Sequence, residues 1–302
     1  MADRTTNLSF ASVVIPTFDR YDCLRDTLAF LRKQSDCDYE VLVIDQTPSP
    51  KEVAISEEVR YFVQATPSAS AARNLGLLHA HGDVVVFLDD DVIIDDDRFL
   101  AKHLRHYRDP DVVGVAGAAP EMGQSTQFTR HRFFHSGGIG WAYFPSNQGC
   151  QAWLRVGRSN NLSVRRDAAI ECGGMDEQFE KGAHREEADF GLRLTNNGQR
   201  ILYDPFAKLI HIGNASGGIR SWTQNDAIKA THHMVGDLYL MFRHIPFSQR
   251  PEYLALSLRY FVFPRGSRTP VRHMLTAINR YAKAWIIAWS KAKQGAQHID
   301  LL

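Results

Sequence analysis

Short apolar runs alternate with amphipathic stretches along the first part of the chain. The apolar runs occupy residues 12–16, 39–44, 59–63 and 84–88, and their length and β-branched content are typical of buried strands. Between them, leucines recur at helical spacing in Leu24, Leu28 and Leu31, and the alanine-rich stretch 69–80 favours a second helix. We expect Asp19 or Asp22 to cap the first helix. Strands that alternate with helices predict a mostly parallel sheet and an α/β fold class.

The second part of the chain is less regular. We predict helices up to Cys172 and at 186–196, and strands at 112–116, 159–165, 201–203 and 208–211. We predict that residues from 226 onward form helices, which break near Pro246, Pro264 and Pro270. Residues 120–150 are rich in Gly, Phe, His and Trp without periodicity, as in a long functional loop. Their aromatic rings suit stacking on an acceptor sugar, or a small core of their own.

Charge and cysteine content narrow the class of protein. The net charge of +1 gives no global field for nucleic acid. Residues 251–302 carry eight Lys or Arg against two acids, a local charge of +6, which leaves −5 for the rest. The four cysteines form no CxxC pair, and the N-terminus lacks an apolar signal region. We therefore predict a cytoplasmic protein, with peripheral association on the cytoplasmic membrane face as the alternative that the basic end favours.

Three consecutive carboxylates, Asp89, Asp90 and Asp91, close the apolar run at 84–88. Ligands of open α/β sheets bind at the carboxyl ends of such strands. Carboxylates this close repel one another unless a cation or several donors lie among them, and their hard oxygens suit Mg²⁺ or Mn²⁺. The residues thus favour a metal site for a phosphorylated ligand, with a solvated acidic turn as the alternative.

Several motifs follow one another in a fixed order. They lie at residues 13–17, at Asp45, and at 71–74, 89–91, 161–166, 173–176 and 186–194. With these motifs in this order, the sequence resembles the glycosyltransferase family 2 enzymes over roughly residues 10–215. That family comprises inverting, metal-dependent enzymes of the GT-A fold. The resemblance implies a Rossmann-like α/β domain with a mostly parallel central sheet flanked by helices, here with a C-terminal helical extension.

The resemblance assigns a donor site to the first motifs. Asp45 is expected to accept a hydrogen bond from the base of the nucleotide, with uracil as the expected base. Arg73 is expected to lie near the donor diphosphate or to order the acidic loop. The other donor-binding residues that we expect from the match are Pro16, Thr17, Asp89, Asp90 and Asn161.

The resemblance also implies a metal and a base. Asp91 is expected to bind Mn²⁺ or Mg²⁺ directly, and His211, at the end of a predicted strand, is a second candidate ligand. Glu187 is expected to be the general base, at a position where the family usually has Asp, with Glu186 and Asp189 as alternatives. Without the resemblance, these acids read as an acidic first helical turn that complements the helix dipole.

The tail of the chain carries a repeating apolar pattern. Basic residues are interspersed with a stripe formed by Val271, Met274, Leu275, Ile278, Ala282, Trp285 and Trp289. Such a stripe is typical of an amphipathic helix packed on the main domain. Contact of residues 271–293 with an anionic membrane is the alternative, and it suits a lipid-linked acceptor. We predict a catalytic domain at 1–225, with a donor half at about 10–118 and an acceptor half at about 119–225, and a helical extension at 226–302.

The resemblance, together with the acidic cluster, implies an inverting glycosyltransferase. Its expected partners are a nucleotide diphosphate sugar, expected to be UDP-linked, and a saccharide or lipid-linked acceptor in polysaccharide, glycolipid or cell-envelope glycan synthesis. One alternative is a nucleotidyltransferase, but residues 16–20 do not form the glycine-rich basic loop that such enzymes usually need. The other alternative is a non-catalytic sugar-nucleotide-binding protein. The presence of both Asp91 and Glu187 argues against it.

Overall fold

An eight-stranded mixed sheet forms the centre of the molecule, with strand order β3-β2-β1-β4-β8-β6-β9-β7. The computed structural model describes residues 10–50, 58–128, 146–180, 184–213, 218, 231–262 and 271–299. All strands of this sheet run in one direction except β7 and β8. The strands are β1 (Phe10–Thr17), β2 (Asp38–Asp45), β3 (Val59–Val63), β4 (Val84–Leu88), β5 (Val92–Ile93), β6 (Val112–Gly117), β7 (Ala152–Leu154), β8 (Asn161–Arg165), β9 (Arg200–Asp204) and β10 (Ile210–His211).

Helices cover both faces of this sheet and extend beyond it. They are α1 (Tyr21–Leu31), α2 (Ala69–His79), α3 (Phe99–Leu104), α4 (Arg166–Glu171), α5 (Glu186–Leu194), α6 (Thr231–His244), α7 (Arg250–Phe261) and α8 (Val271–Gln294). The α/β class and the mostly parallel sheet are confirmed. The cap expected for α1 was wrong, because its N-cap residue is Arg20 and no side chain bonds there. The predicted boundary at residue 225 lies outside the described residues, as do parts of the 120–150 loop.

Two apolar layers enclose the sheet. The layer on one face packs α1 and α3 against the strands through residues such as Leu24, Leu28 and Phe99. The opposite layer packs α2, α4 and α5 through residues such as Leu77 and Phe190. Strands β1 and β4 contribute to both layers because their side chains alternate between the two faces. They are buried on both sides, which explains their continuous apolar runs.

The register of the strands brings several predicted site residues to one edge. Thr17 at the end of β1 is paired with Asp45 at the end of β2. The acidic loop follows the end of β4, the other neighbour of β1. The short strands β5 and β10 pair so that His211 lies opposite Val92. Parallel topology alone therefore collects the acidic loop, Thr17 and Asp45 at the carboxyl edge of the sheet.

The C-terminal helices form a third apolar cluster, in which α8 packs on α6. The packed face of α8 consists of Ala277, Tyr281, Ala284 and Ala288. The stripe predicted from the sequence is largely exposed instead, with Leu275, Ile278, Trp285 and Trp289 all facing solvent. Small residues let two helices approach closely, so the packing falls on the alanine face. Among the described helices, none combines the length and apolar composition needed to cross a bilayer.

Candidate active site

Two aspartates and a histidine converge beyond the end of β4. One ligand atom from each of Asp89, Asp91 and His211 lies within 4.8 Å of the others. The Nε2 atom of His211 is 3.3 Å from Asp91 Oδ1 and 3.6 Å from Asp89 Oδ2. Two carboxylates and an imidazole are donors that Mn²⁺ accepts, and carboxylates also suit Mg²⁺. The chemistry of this set fits a divalent cation.

Asp90, between these aspartates, has different partners. Its Oδ2 accepts a hydrogen bond of 2.7 Å from Thr17 Oγ1, and its backbone carbonyl accepts one of 2.8 Å from Thr27 Oγ1. The guanidinium of Arg20 lies 3.3 Å from Asp90 and 3.0 Å from Asp91. Burial raises the pKa of Asp90 to about 7, against the opposing effects of the Thr17 hydrogen bond and the Arg20 charge. The aspartate triplet is thereby divided between a metal-facing pair and one residue tied to β1 and α1.

His211 is oriented by a partner on its far side. Its Nδ1 atom lies 3.0 Å from Oε2 of Glu121, and the backbone of Ile212 donates to the carbonyl of Asp91 at 2.9 Å. Burial lowers the pKa of His211, but the hydrogen bond with Asp91 and the charges of Asp89 and Asp91 outweigh it and raise the pKa to about 9. A carboxylate behind a histidine fixes its ring and tautomer, as is usual for metal ligands.

Arg73 on α2 connects the acidic loop to α5. Its side chain is buried, approaches Asp89 Oδ1 at 3.4 Å and forms a salt bridge with Glu186. The other carboxylate oxygen of Glu186 accepts a hydrogen bond of 2.6 Å from Ser70 Oγ. Both oxygens of Glu186 are therefore engaged by α2. Arg73 therefore connects the acidic loop at Asp89 to the first residue of α5.

Glu187 is the more available member of the acidic pair. Its Oε1 accepts hydrogen bonds from the backbone and hydroxyl of Ser159, at 3.3 and 3.2 Å, and within the described ranges its Oε2 accepts none. Asp189 is fully buried and lies against Arg193 at 2.6 Å and His244 at 2.6 Å. Burial raises the pKa of Asp189, but the hydrogen bond with His244 and the Arg193 charge outweigh this and lower it. This geometry argues against Asp189 as the base.

Two predicted donor-binding residues are tied into the protein. The buried carboxylate of Asp45 accepts hydrogen bonds from Tyr21 and Tyr61 and from the backbone of Thr47. Asp45 lies at the expected carboxyl edge of the sheet. Because Tyr21 and Tyr61 donate to its carboxylate, a contact between Asp45 and a nucleotide base competes with these hydrogen bonds. Pro16 is the penultimate residue of β1 and is half-buried.

Asn161 is the residue whose placement departs from expectation. Its two amide hydrogens go to the carbonyls of Ala118 and Ala207, at 2.9 and 3.0 Å, and its Oδ1 lies 3.0 Å from His103 Nε2. The side chain is buried. Because both donors are used by backbone carbonyls, we correct the expected donor contact to a structural role.

Sequence reasoning missed several residues of this site, of which three lie next to the candidate metal ligands or Glu186. Arg20, Ser70 and Glu121 touch the acidic carboxylates or His211 only through tertiary contacts, which leave no periodic signal. The aromatic residues at 131–143, expected near an acceptor, lie outside the described residues.

Comparison with known proteins gives the family. Residues 12–175 match the model of glycosyl transferase family 2. The O-antigen biosynthesis protein RfbC of Myxococcus xanthus is 26% identical over 225 residues, which cover 68% of this chain and 17% of that protein. A glucosyl-dolichyl phosphate glucuronosyltransferase of Haloferax volcanii is 24% identical over 219 residues, which cover 66% of this chain and 68% of that protein. The chain thus spans about a sixth of the length of RfbC.

A solved structure with a similar fold is the mannosyltransferase PcManGT from Pyrobaculum calidifontis in complex with GDP-Man and Mn²⁺. It superposes with a TM-score of 0.55 at 18% identity, covering 97% of this chain and 81% of that one. At this identity the likeness concerns the fold, and it extends over the C-terminal helices as well as the sheet. The family match covers more than half of the chain. The chain therefore belongs to glycosyl transferase family 2 and has the GT-A fold.

Proposed function

We propose that the protein is an inverting, metal-dependent glycosyltransferase that uses a nucleotide diphosphate sugar. The observation that carries this proposal is the bridge through Arg73, which joins the metal-competent cluster at Asp89 to the acidic start of α5 at Glu186. A donor site and a candidate base are thus held in one rigid arrangement. A binding protein without catalysis has no need for a candidate base next to its donor site.

Asp89, Asp91 and His211 hold the metal in this proposal, and Glu121 orients His211. A divalent cation held by these residues would supply positive charge that offsets the charge on the diphosphate of the departing nucleotide. Mn²⁺ is the ion found with PcManGT, and Mg²⁺ remains the alternative. The Nε atom of Arg73 is buried without a hydrogen-bond partner among the described residues, which supports a contact between Arg73 and the donor diphosphate.

Glu187 is the proposed general base. Its carboxylate takes the proton of the acceptor hydroxyl while that oxygen bonds to the anomeric carbon. The bond between the anomeric carbon and the diphosphate oxygen breaks, and the leaving nucleoside diphosphate keeps the electron pair. Attack from the side opposite the leaving group inverts the configuration. Glu186 is held by Arg73 and Ser70, so its role here is to position the helix rather than to accept a proton.

The proposed acceptor is a saccharide or a lipid-linked glycan, in glycolipid, polysaccharide or cell-envelope synthesis. The names of RfbC and of the dolichyl phosphate enzyme support this class. The exposed apolar stripe on α8 supports peripheral contact with a membrane that carries such an acceptor. Arg280, Lys283 and Lys293 accompany it, whereas Lys291 pairs with Glu180, and residues 271–294 contain no acid. Basic residues near apolar side chains favour an anionic surface.

Calorimetric titration with UDP, and in parallel with GDP, tests the donor and metal together. We expect binding of UDP in the presence of Mn²⁺ and little binding in EDTA, because the carboxylates repel a diphosphate without a cation between them. Asp91→Asn is expected to abolish the increase in UDP affinity that Mn²⁺ causes. Its melting temperature is expected to stay within a few degrees of that of the wild type. Equal affinity in EDTA and in Mn²⁺ contradicts the metal site. Tight binding of GDP alone contradicts the choice of uracil but keeps the proposed reaction.

A further inference from the structure

Helix α6 lies directly against the two residues that precede the acidic pair. A Cβ atom added to Gly236 would lie 2.3 Å from the carbonyl oxygen of His184, so only glycine lets the two backbones approach this closely. The next residue, Arg185, is the N-cap of α5 and has φ 76° and ψ 5°. This left-handed conformation is uncommon for a residue with a side chain and needs surrounding contacts to hold it.

Asp237 on α6 supplies such a contact. Its Oδ1 atom accepts a hydrogen bond of 2.9 Å from Nε of Arg185, in an ion pair that is buried on the Asp237 side. Arg185 is followed at once by Glu186 and Glu187 along the chain. The position of the Arg185 side chain therefore constrains the first turn of the helix that carries the proposed base.

The carboxylate of Asp237 is itself fixed by the other C-terminal helices. Tyr253 on α7 donates to its Oδ1 at 2.9 Å, and Ser257 on α7 donates to its Oδ2 at 2.6 Å. The hydroxyl of Ser257 in turn accepts a hydrogen bond of 2.8 Å from Tyr281 on α8. We call Arg185, Asp237, Tyr253, Ser257 and Tyr281 the α6 network. Through these hydrogen bonds, helices α6, α7 and α8 together hold the carboxylate of Asp237 in one orientation.

A second tether joins the same helices. His244 near the end of α6 lies 2.6 Å from Asp189, one turn beyond the start of α5. Buried ion pairs add little net stability compared with apolar packing, because desolvation offsets much of their attraction. The pair between Arg185 and Asp237 is therefore better explained by the geometry that it imposes than by the stability that it adds. The contact between His244 and Asp189 constrains the same two helices.

We propose that Asp237 is a positioning residue of the transfer reaction, which through Arg185 sets the start of α5 and the place of the Glu187 carboxylate. The inference rests on the proposed function, since it needs Glu187 to act as the base. It assigns a purpose in catalysis to helices that lie beyond residue 175, where the family match ends. The C-terminal helices then form part of the active-site scaffold as well as a surface.

Asp237→Asn tests this role, because it keeps the shape of the side chain and removes its charge. Turnover is measured as donor hydrolysis with Mn²⁺, with water in place of the acceptor. We expect kcat to fall by ~10- to 100-fold, the usual effect of a small misplacement of a catalytic group, with the Kd of UDP and Mn²⁺ changed less than about threefold. Asp237→Glu keeps the charge one methylene further out and is expected to retain an intermediate kcat. It replaces the asparagine variant should that variant not fold.

Tyr239→Phe is the matched control, since it removes a buried hydrogen bond of 2.7 Å from the same helix, α6, to Asp176 without touching the α6 network. It is expected to lower the melting temperature and to leave kcat unchanged. The decisive measurement repeats Asp237→Asn in a Glu187→Gln background, where the loss in kcat is expected to vanish because the group being positioned is gone. An equal loss in both backgrounds, or an unchanged kcat in folded Asp237→Asn, overturns the inference and leaves the proposed function intact. A wild-type protein without metal-dependent donor binding overturns both.

Discussion

At the scale of single residues, the two glutamates at the start of α5 cannot be told apart by their sequence and differ only in their surroundings. They are adjacent and chemically identical, yet Glu186 is buried under Arg73 and Ser70 while Glu187 keeps one oxygen free of hydrogen bonds from described residues. Burial and partners, which depend on α2 and on Ser159, decide which glutamate can accept a proton. The resemblance named the same residue by position alone.

Glu187→Gln is expected to lower turnover by ~10²- to 10⁴-fold, the usual contribution of a general base, with donor affinity within a few-fold of wild type. Glu186→Gln serves as the control. It removes the charge opposite Arg73, so we expect a lower melting temperature and a smaller loss of turnover. Donor hydrolysis and calorimetry with UDP and Mn²⁺ measure the two effects. The reverse order of losses would identify Glu186 as the base.

His103 makes the stability of the fold depend on pH. It is fully buried between Ser163 and Asn161, at 2.9 and 3.0 Å. Since Asn161 donates both amide hydrogens elsewhere, its Oδ1 accepts from His103 Nε2. Burial lowers the pKa of His103 to about 4, and the hydrogen bond to Asn161 offsets this only in part. In the unfolded chain the ring regains its ordinary pKa near 6.5.

Protonation of His103 therefore favours unfolding as the pH falls from 6.5 towards 4. The stability that depends on the neutral ring is complete above pH 6.5, and about 3 kcal/mol is lost by pH 4. Urea unfolding at a series of pH values is expected to show this slope in the wild type and a flatter slope in His103→Gln. His81→Gln, at an exposed histidine, is the control. Parallel slopes in all three proteins would contradict the assignment.

At the scale of elements, the sequence was informative where an element is long and its pattern local. The apolar runs of β1, β2, β3 and β4 predicted those strands to within two residues at each end. The signal is strongest in β1 and β4, because strands buried on both faces must be apolar throughout. The two- and three-residue strands β5, β7 and β10 depend on pairing with distant segments. Only β10 was predicted, as the end of a longer strand at 208–211. Tertiary pairing of this kind leaves little local signal.

The pair β5–β10 matters for the site because it presents His211 to the acidic loop. We expect Glu121→Gln to weaken Mn²⁺ binding by about 10-fold or more, because the ring of His211 loses the carboxylate that orients it. Mn²⁺ affinity is measured by calorimetry without nucleotide. Asp111→Asn is the control. Asp111 has an exposed carboxylate and directly precedes β6, whereas Glu121 follows the other end of that strand. An unchanged affinity in Glu121→Gln would remove Glu121 from the metal site.

At the scale of the whole molecule, the end of the chain returns to the catalytic half. Ile299 donates to the carbonyl of Gly173 at 3.0 Å, and Glu177 donates to the carbonyl of Gln297 at 2.9 Å. On the other side of this segment, Asn74 on α2 bonds to Met175. No pattern in the sequence could predict this return, because it joins residues more than a hundred positions apart. Truncation of α8 is unsuitable as a test of membrane binding, since it removes these contacts and also uncovers the apolar face of α6.

The apolar pattern of α8 was read correctly as amphipathic but assigned in part to the wrong face. Trp and Ile give the stronger apolar signal in the sequence, whereas the alanines at 277, 284 and 288 make the packed face. The exposed fractions are 69% for Ile286 and 46% for Trp289, which are high for side chains of this size. Phe242 on α6 packs edge-on against Trp285 and Trp289 and holds both rings at the surface. The stripe is thus rigid, exposed and flanked by basic residues.

Point substitutions on this stripe separate membrane contact from folding. We expect the full chain to float with vesicles that contain anionic lipid and to remain behind with neutral vesicles, because both the apolar side chains and the positive charges contribute. The double variant Leu275→Ser and Ile278→Ser is expected to lose flotation and to keep the melting temperature and donor hydrolysis, since both side chains are exposed and neither belongs to the packed face. Phe206→Ser, at an exposed aromatic residue after β9, is the matched control and is expected to float like the wild type. Failure of the wild type to float, or equal flotation of the double variant, would mean that the stripe does not meet a membrane.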